Sequence, residues 1–288
     1  MYKEKYLKYK SKYLDLKSQL GGSDNLLIVH YTSSNDIARE IEQLIEHSKT
    51  KEIDLVLTSH VITDSGLQII IDNIASLNIK KLRIYDTNID NAITNIVKIM
   101  QSPRLRLREL SFKKCVSFQW TEIIYGLKHN TTLTHLDLSE SNFGKNEDVL
   151  VLTNALKYNL NMLTHLDLRE TNFYKDENNV LAIADALKYN TFLTYLDLSA
   201  KIRLAIFTEG AVYIELAKAL KNQNTLKTLK IEHLKLNNNV YNAFILHAPM
   251  LEKLYFNYNS TTGLPSASFR VDRPDISDTN YIMVYNLF

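Results

Sequence analysis

A single cysteine among 288 residues excludes an internal disulfide framework and fits a reducing compartment. No apolar run approaches the ~18 residues that a membrane-spanning helix needs. The net charge of +2 is too small for a dedicated nucleic-acid-binding protein. Together, the single cysteine, the lack of long apolar runs and the small net charge predict an intracellular protein that has no transmembrane segment and does not use nucleic acid as its partner.

Motifs for catalysis are missing as well. The sequence has no HExxH pair, no P-loop, no GxGxxG and no CxxC. We therefore expect no enzymatic activity, no cofactor and no small-molecule substrate. Glycine and proline are also scarce, with seven and four residues, while Asn, Lys, Ile and Tyr are frequent. This usage indicates an AT-rich coding sequence.

What the sequence contains is one short pattern that recurs eight times. It is clearest as LTHLDL at Leu133–Leu138 and Leu163–Leu168 and as LTYLDL at Leu193–Leu198. Its apolar residues alternate, which predicts a half-buried strand in each copy. We call the second leucine of each copy the anchor, and consecutive anchors are 25 to 33 residues apart. The anchors are Leu55, Leu82, Leu110, Leu136, Leu166, Leu196, Leu229 and Leu254.

The segments between the strands have helical spacing, as in Val149, Leu152 and Leu156. Several of these helices end in Lys followed by Asn, and we expect the Asn to take the left-handed conformation that ends a helix. The asparagines concerned are Asn130, Asn159 and Asn190. A period near 28 leaves room for one crossover helix between parallel strands. The sequence therefore predicts an α/β solenoid with strands on its inner face and helices on its outer face.

The arrangement LxxLxLxx-polar-x-apolar resembles the leucine-rich repeat family, in its ribonuclease-inhibitor-like class, from Leu26 to Asn259. The resemblance implies a horseshoe whose concave face carries the strands. It also implies that the polar residue five positions after the anchor bonds to loop backbone, and Cys115 occupies such a position, so its expected role is structural. Lys201 and Leu234 depart from the pattern. The 33-residue interval predicts an inserted loop between Lys201 and Gly210.

Residues 1–22 form a separate predicted element. Tyrosine or leucine recurs every three or four residues, which places one stripe on a lysine-rich helix. The stripe comprises Tyr2, Tyr6, Tyr9, Tyr13, Leu16 and Leu20. Three roles fit this helix: a cap on the first repeat, a helix that self-associates or binds a partner, and an amphipathic helix on an anionic membrane.

The string KYLKYKSKYLDLKSQLGG within this leader resembles the start of many proteins of mimivirus-type giant DNA viruses. That resemblance implies a viral protein located in the host cytoplasm, the replication factory or the virion. At the other end, residues 260–288 leave the repeat pattern, and we expect them to cap the last repeat or to add a strand to a partner's sheet. The predicted domains are a leader at 1–22, a solenoid at 23–259 with eight clear repeats and a degenerate first one, and a cap at 260–288.

Strand residues between the buried leucines are predicted to point away from the core. The residue after each anchor gives the series Val56, Arg83, Ser111, Asp137, Asp167, Asp197, Lys230 and Tyr255. Three aspartates would thus lie on adjacent strands about 4.8 Å apart. Histidines precede two of the anchors, and basic residues are expected on both sides of the aspartates, namely Lys81, Arg83, Lys113 and Lys114 before them and Lys227 and Lys230 after them.

We expect this acidic stripe to dock a basic or mixed-charge protein surface. The predicted partner-binding residues are Arg83, His135, Asp137, His165, Asp167, Arg169, Tyr195, Asp197, Lys230 and Tyr255. The alternative is that the sequence LDL is simply frequent in such repeats, where aspartate is tolerated as an exposed strand residue. A metal site at the aspartates and histidines is disfavoured, because exposed strand side chains lack the closed shell that holds a divalent ion.

The function predicted from the sequence is therefore a non-catalytic protein–protein interaction scaffold. An alternative is a substrate-recognition subunit of a ubiquitin ligase, a role that leucine-rich repeat proteins often have. Residues 1–22 are too short and too rich in lysine for the adaptor-binding module that such a subunit needs. A structural component of a virion is a third possibility.

Overall fold

The computed structural model describes residues 26–30, 53–58, 67–68, 71–72, 79–102, 106–127, 129–158, 162–200, 210–236, 238–258, 267–272 and 282–286. The strands in this part are β1 Leu26–His30, β2 Ile53–Thr58, β3 Ile79–Tyr85, β4 Glu109–Ser111, β5 His135–Asp137, β6 His165–Asp167, β7 Tyr195–Asp197, β8 Thr228–Leu236, β9 Lys253–Tyr258, β10 Ala267–Asp272 and β11 Ile282–Asn286. The α-helices are α1 Ile93–Gln101, α2 Trp120–Leu127, α3 Asn146–Lys157, α4 Glu177–Leu187, α5 Ala211–Ala219 and α6 Asn238–His247.

All the described strands belong to one sheet, in the order in which they occur in the sequence. Neighbours from β1 to β9 are parallel, whereas β10 is antiparallel to both β9 and β11. One helix occupies each crossover from β3 to β9, as parallel neighbours require. Each helix also contacts the next one. The predicted α/β arrangement with parallel strands in one sheet is confirmed.

The anchor leucines are neighbours across this sheet. Strand register pairs each anchor from Leu55 to Leu254 with the next one along the chain. All eight are buried, and they share one apolar core with helix residues such as Leu152 and Ile183. Burial of one leucine side chain contributes roughly 1.5–3 kcal/mol. The regular recurrence of leucine therefore explains why successive units stack in register.

The loop after the strand repeats its geometry from unit to unit. The residue four positions after the anchor has a positive φ angle in four units, at Asp86, Lys114, Glu140 and Glu170. The following polar side chain then bonds to backbone: Thr171 donates to the carbonyl of Leu168 at 2.7 Å, and Cys115 Sγ donates to the carbonyl of Ile84 at 3.2 Å. Cys115 is fully buried, and this burial raises the pKa of its thiol to about 12. These contacts make Cys115 part of the loop structure.

The asparagines at the helix ends differ from the prediction. Asn130 and Asn190 do not take the left-handed conformation. Instead, Asn190 Nδ2 donates to the carbonyl of Leu156 at 2.9 Å, and its Oδ1 accepts from the N–H of Leu193 at 2.8 Å. Asn130 makes the equivalent pair of bonds to the carbonyl of Met100 and the N–H of Leu133. Gln223 makes them to the carbonyl of Asn190 and the N–H of Leu226. The prediction was wrong because buried backbone groups of two adjacent units need partners, and one amide supplies both a donor and an acceptor.

Several predicted features lie outside the described residues, namely the leader at 1–22, Asn159 and the inserted loop at 201–209. Strands β10 and β11 fall within 260–288 and extend the sheet beyond its last parallel strand. Their role as a cap stays a prediction. None of the helices in the described ranges combines the length and the apolar character that crossing a membrane demands.

Candidate functional site

Two rows of side chains cross the strand face that lies opposite the anchors. In the first row, the residues that follow the anchors are paired in register from Val56 on β2 to Tyr255 on β9. In the second row, the residues that precede the anchors run Asp54, Lys81, Glu109, His135, His165, Tyr195, Thr228 and Lys253. The structure therefore brings Asp137, Asp167 and Asp197 side by side on β5, β6 and β7, next to the two histidines.

Each of the three aspartates accepts a hydrogen bond from the backbone at the end of its own strand. One carboxylate oxygen accepts the backbone N–H two residues further on, that of Ser139 at 2.8 Å, Arg169 at 3.0 Å and Ser199 at 3.0 Å. This is the local turn for which aspartate is favoured at the end of a strand. The recurrence of Asp in LDL thus has a structural cause that is independent of any partner.

The three aspartates differ in the group that contacts their second carboxylate oxygen. Ser111 donates to that of Asp137 at 2.9 Å, and the hydroxyl of Tyr195 donates to that of Asp197 at 3.2 Å. The corresponding oxygen of Asp167 lies 3.2 Å from Nε of Arg169. Nε nevertheless has no hydrogen-bond partner, so its N–H is poorly aligned and the contact is ionic.

The carboxyl group of Asp167 is strongly perturbed by its surroundings on this face. Burial disfavours its charged form, and the flanking carboxylates of Asp137 and Asp197 add repulsion, so that the pKa of Asp167 is raised to about 7. Arg169 offsets only part of this effect. Burial also acts against the charge of Arg169, but the three aspartates outweigh it and raise the pKa of the guanidinium.

The two histidines form a stack beside the aspartates. The rings of His135 and His165 are 3.9 Å apart and inclined by 14°, and the ring of Tyr195 continues the stack at 5.4 Å from His165. Each histidine Nδ1 shares a hydrogen bond with the hydroxyl of the preceding threonine, Thr134 or Thr164. Burial lowers the pKa of both imidazoles, and for His165 the nearby His135 lowers it further. The stack is therefore uncharged at neutral pH.

The basic residues beside the stripe are engaged in ion pairs. One carboxylate oxygen of Glu109 lies 2.8 Å from Nζ of Lys81, and the other lies 3.6 Å from Nη2 of Arg83. The remaining pairs are Lys113 and Lys114 with Glu140, Lys227 with Glu252, and Lys230 with Asp197. Lys230 also lies over the rings of Tyr195 and Tyr255, at 5.5 and 5.2 Å from their centroids. The predicted basic flanks are thus largely neutralised within the chain.

Part of the first row is buried, contrary to the expectation that all of it points into solvent. Asp197 is only 2% exposed because the side chains of Tyr195 and Lys230 lie against its carboxylate. Val56 is 1% exposed, as suits an apolar side chain. Asp137 and Asp167 are half-buried and face a shallow depression of about 230 Å³. Its lining also includes Arg83, Ser111, His135 and His165.

Sequence reasoning missed two groups of site residues. Glu109 was not singled out, although it directly precedes the anchor Leu110 and lies in line with His135. Thr134 and Thr164, which orient the histidines, recur visibly as the second letter of LTHLDL. In the described part of the chain, no group of three His, Cys, Asp or Glu side chains is placed to hold a metal ion.

Replacing Asp167 with asparagine is expected to stabilise the protein at pH 8. The raised pKa means that the folded state holds the Asp167 proton more tightly than the unfolded chain does, so the charged carboxylate lowers stability above about pH 7, and this loss fades as the pH falls toward 4. The carboxamide of the variant would keep the turn and remove the charge. We expect a gain of about 2 kcal/mol at pH 8 and a smaller gain at pH 5, measured by urea unfolding.

The matched control for this prediction is Glu147→Gln, which makes the same charge change at an exposed position of α3. It should alter stability by less than about 0.5 kcal/mol at either pH. A destabilised Asp167→Asn protein at pH 8 would mean that the ionic contact with Arg169 outweighs the repulsion among the three carboxylates.

No family model matches the chain, and no curated protein matches it either. A solved structure to which the chain is similar is the actin-binding site 2 of leiomodin-1, with 20% sequence identity and a TM-score of 0.40. The match covers 53% of this chain and 85% of that one. This similarity is too low to indicate a function.

Proposed function

We propose that this chain is a leucine-rich-repeat-like solenoid that acts without catalysis and binds a protein partner through the strand face. The observation that carries the proposal is the pair of side-chain rows that run in register across the parallel strands. From β2 to β9 these rows extend over roughly 34 Å, at about 4.8 Å per strand. That is the scale of a protein–protein contact patch.

The repeated contacts between units support the solenoid part of the proposal. Strand order follows sequence order, and each helix packs on the next. The loop hydrogen bonds and the buried asparagines recur at the same place in successive units. Such nearest-neighbour stacking is typical of solenoids, which use their strand surface for binding. The strand face would then be the concave side of a horseshoe.

The shape of the site favours a protein over a small molecule. The depression of about 230 Å³ is open to solvent, and it is smaller than the roughly 300–1,000 Å³ of ordinary ligand pockets. It can receive one side chain of a partner, while the rows on either side contact the rest of its surface.

Charge suggests the kind of surface that fits. The centre of the face carries three carboxylates and one guanidinium, from Arg169. Its margins consist of internal Lys–Glu and Arg–Glu pairs that are partly exposed, so a partner surface can compete for their members. A partner surface that is basic at its centre and mixed in charge at its edges is complementary to this pattern.

The test is to neutralise the stripe. Wild-type full-length protein is used to capture partners from cells that express it, and the partner found is purified. We expect the variant Asp137→Asn/Asp167→Asn/Asp197→Asn to bind that partner at least about tenfold more weakly by calorimetry, because complementary charge is lost. The carboxamides keep the strand-end turns, so the fold should persist, as checked by circular dichroism.

The control variant is Glu122→Gln/Glu147→Gln/Glu177→Gln, which changes the net charge equally at exposed positions on α2, α3 and α4. It should bind like the wild type. If both triple variants bind equally well, the stripe is not the binding site. The identity of the partner also separates the alternatives, since a ubiquitin-ligase core component and a virion protein are different outcomes.

A further inference from the structure

Asp167 occupies the middle of a crowded group of charges. Strand β5 places Asp137 beside it and β7 places Asp197, while its own strand segment provides the cation Arg169. The other titratable groups that these strands bring to the same face are His135, His165 and Tyr195. Arg169 thus lies beside three carboxylates, and the only other cation paired with one of them in the described residues is Lys230 on β8, 4.0 Å from Asp197.

The three carboxylates are not equally well accommodated as anions. Ser111 donates a hydrogen bond to Asp137, and Asp197 has both the hydroxyl of Tyr195 and the ammonium of Lys230. Asp167 has a misaligned guanidinium instead, in the central position where repulsion arrives from both sides. Two like charges about 5 Å apart near a protein surface repel by roughly 3 kcal/mol at an effective dielectric of 20. Neutralisation of the middle carboxylate relieves both repulsions at once.

The histidines do not take over this role near neutral pH. Their stacked rings would repel each other if both were charged, and burial already favours the neutral form. Both effects oppose charging of the imidazole stack, whereas the crowding of the carboxylates favours proton uptake by Asp167.

We propose that this strand face is a proton-sensitive docking element, in which Asp167 takes up a proton as the solution becomes mildly acidic and the stripe thereby loses one of its three negative charges. Proton uptake follows from the arrangement of the face alone. Its consequence for docking rests on the proposed function: a basic partner is held more tightly on the alkaline side of the transition and released on the acidic side.

The first arm of the test follows the proton and needs no partner. Full-length protein labelled with ¹³C at the aspartate carboxyl carbons is titrated by NMR from pH 4 to pH 9, and the Asp167 signal is assigned by its loss in Asp167→Asn. We expect its midpoint at about 7. In Asp137→Asn the midpoint should move to lower pH, because one source of repulsion is gone. A midpoint of Asp167 below about 5 in the wild type, near the ordinary range of aspartate, would overturn the proposal.

The second arm compares binding of the purified basic partner at pH 6 and pH 8. Wild-type protein should bind several-fold more weakly at pH 6 than at pH 8. Asp167→Asn should bind with the same affinity at both pH values. A small pH dependence that remains in the variant measures titration of the partner and is subtracted from the wild-type difference. If Asp167 titrates as expected but no partner depends on the stripe, the proposed function fails and proton uptake stands. If binding depends on the stripe and the pH dependence persists in Asp167→Asn, the assignment of the sensor to Asp167 is overturned.

Discussion

Alanine in place of Gly144 is expected to lower the free energy of unfolding by about 4 kcal/mol, the combined result of backbone strain and overpacking. Gly144 has a φ angle of +127°, a region that side chains with a Cβ rarely adopt. An added Cβ would lie 2.5 Å from the carbonyl carbon of Asn172 and closer still to the backbone nitrogen of Phe173. Because both atoms are backbone, the loop of the next unit would have to move.

The comparison that isolates this effect is Gly126→Ala in α2. There a Cβ would meet only side-chain carbons of Met100 and Val97, at 3.4 Å and beyond. Alanine is also favoured over glycine inside a helix by roughly 1 kcal/mol. The same substitution should therefore be neutral or stabilising at 126 and strongly destabilising at 144, as measured by urea unfolding followed by circular dichroism. Equal midpoints for the two variants would contradict the close packing of successive loops.

The stacking of units could be predicted from the sequence because it depends on one repeated property. In each copy, the apolar residue at the anchor and the one two positions later determine that a strand forms and which side of it faces the core. Leu136, Leu166 and Leu196 pair in register because they hold the same position in copies of nearly identical sequence. The row of Asp137, Asp167 and Asp197 could be predicted by the same logic, since equivalent positions on adjacent strands are neighbours.

What the sequence did not reveal depends on contacts between different units. The burial of Asp197 arises from Tyr195 and from Lys230, which belongs to the next strand. The bridging role of Asn190 depends on the carbonyl of Leu156 at the end of α3, which is 34 residues away. No pattern within a single copy encodes such partners. The repetition of Asn142 and Asn172 at the same place after their anchors is a signal that could have indicated the loop contacts between units.

Truncation of Trp120 to alanine is expected to cost about 4 kcal/mol, within the usual range for loss of a large buried side chain. Trp120 is 1% exposed, and its ring packs edge-to-face on Phe112 at 5.6 Å and on Phe143 at 6.1 Å. Its indole N–H donates to Asn142 Oδ1 at 2.7 Å. Trp120 thus joins the strand-to-helix segments of two consecutive units.

The hydrogen bond of the indole can be separated from the packing of its ring. Asn142 also exchanges two hydrogen bonds with the backbone of Ser117, at 2.9 Å each, so it stays partly satisfied when the indole is removed. Trp120→Phe should therefore cost only about 1–2 kcal/mol, the value of a lost buried hydrogen bond and a small loss of volume. The large remainder in Trp120→Ala would measure the cavity.

The surface control for Trp120 is Phe118→Ala, two residues away in the same segment, where the ring is 69% exposed. It should change stability by less than about 0.5 kcal/mol. Native-state hydrogen exchange would show where the loss falls: units contact mainly their neighbours in a stacked array, so Trp120→Ala should raise exchange in α2 and its adjoining loops more than in α5 and α6. A uniform rise along the chain would instead mean that the units unfold as one cooperative block and that Trp120 contributes to all of them.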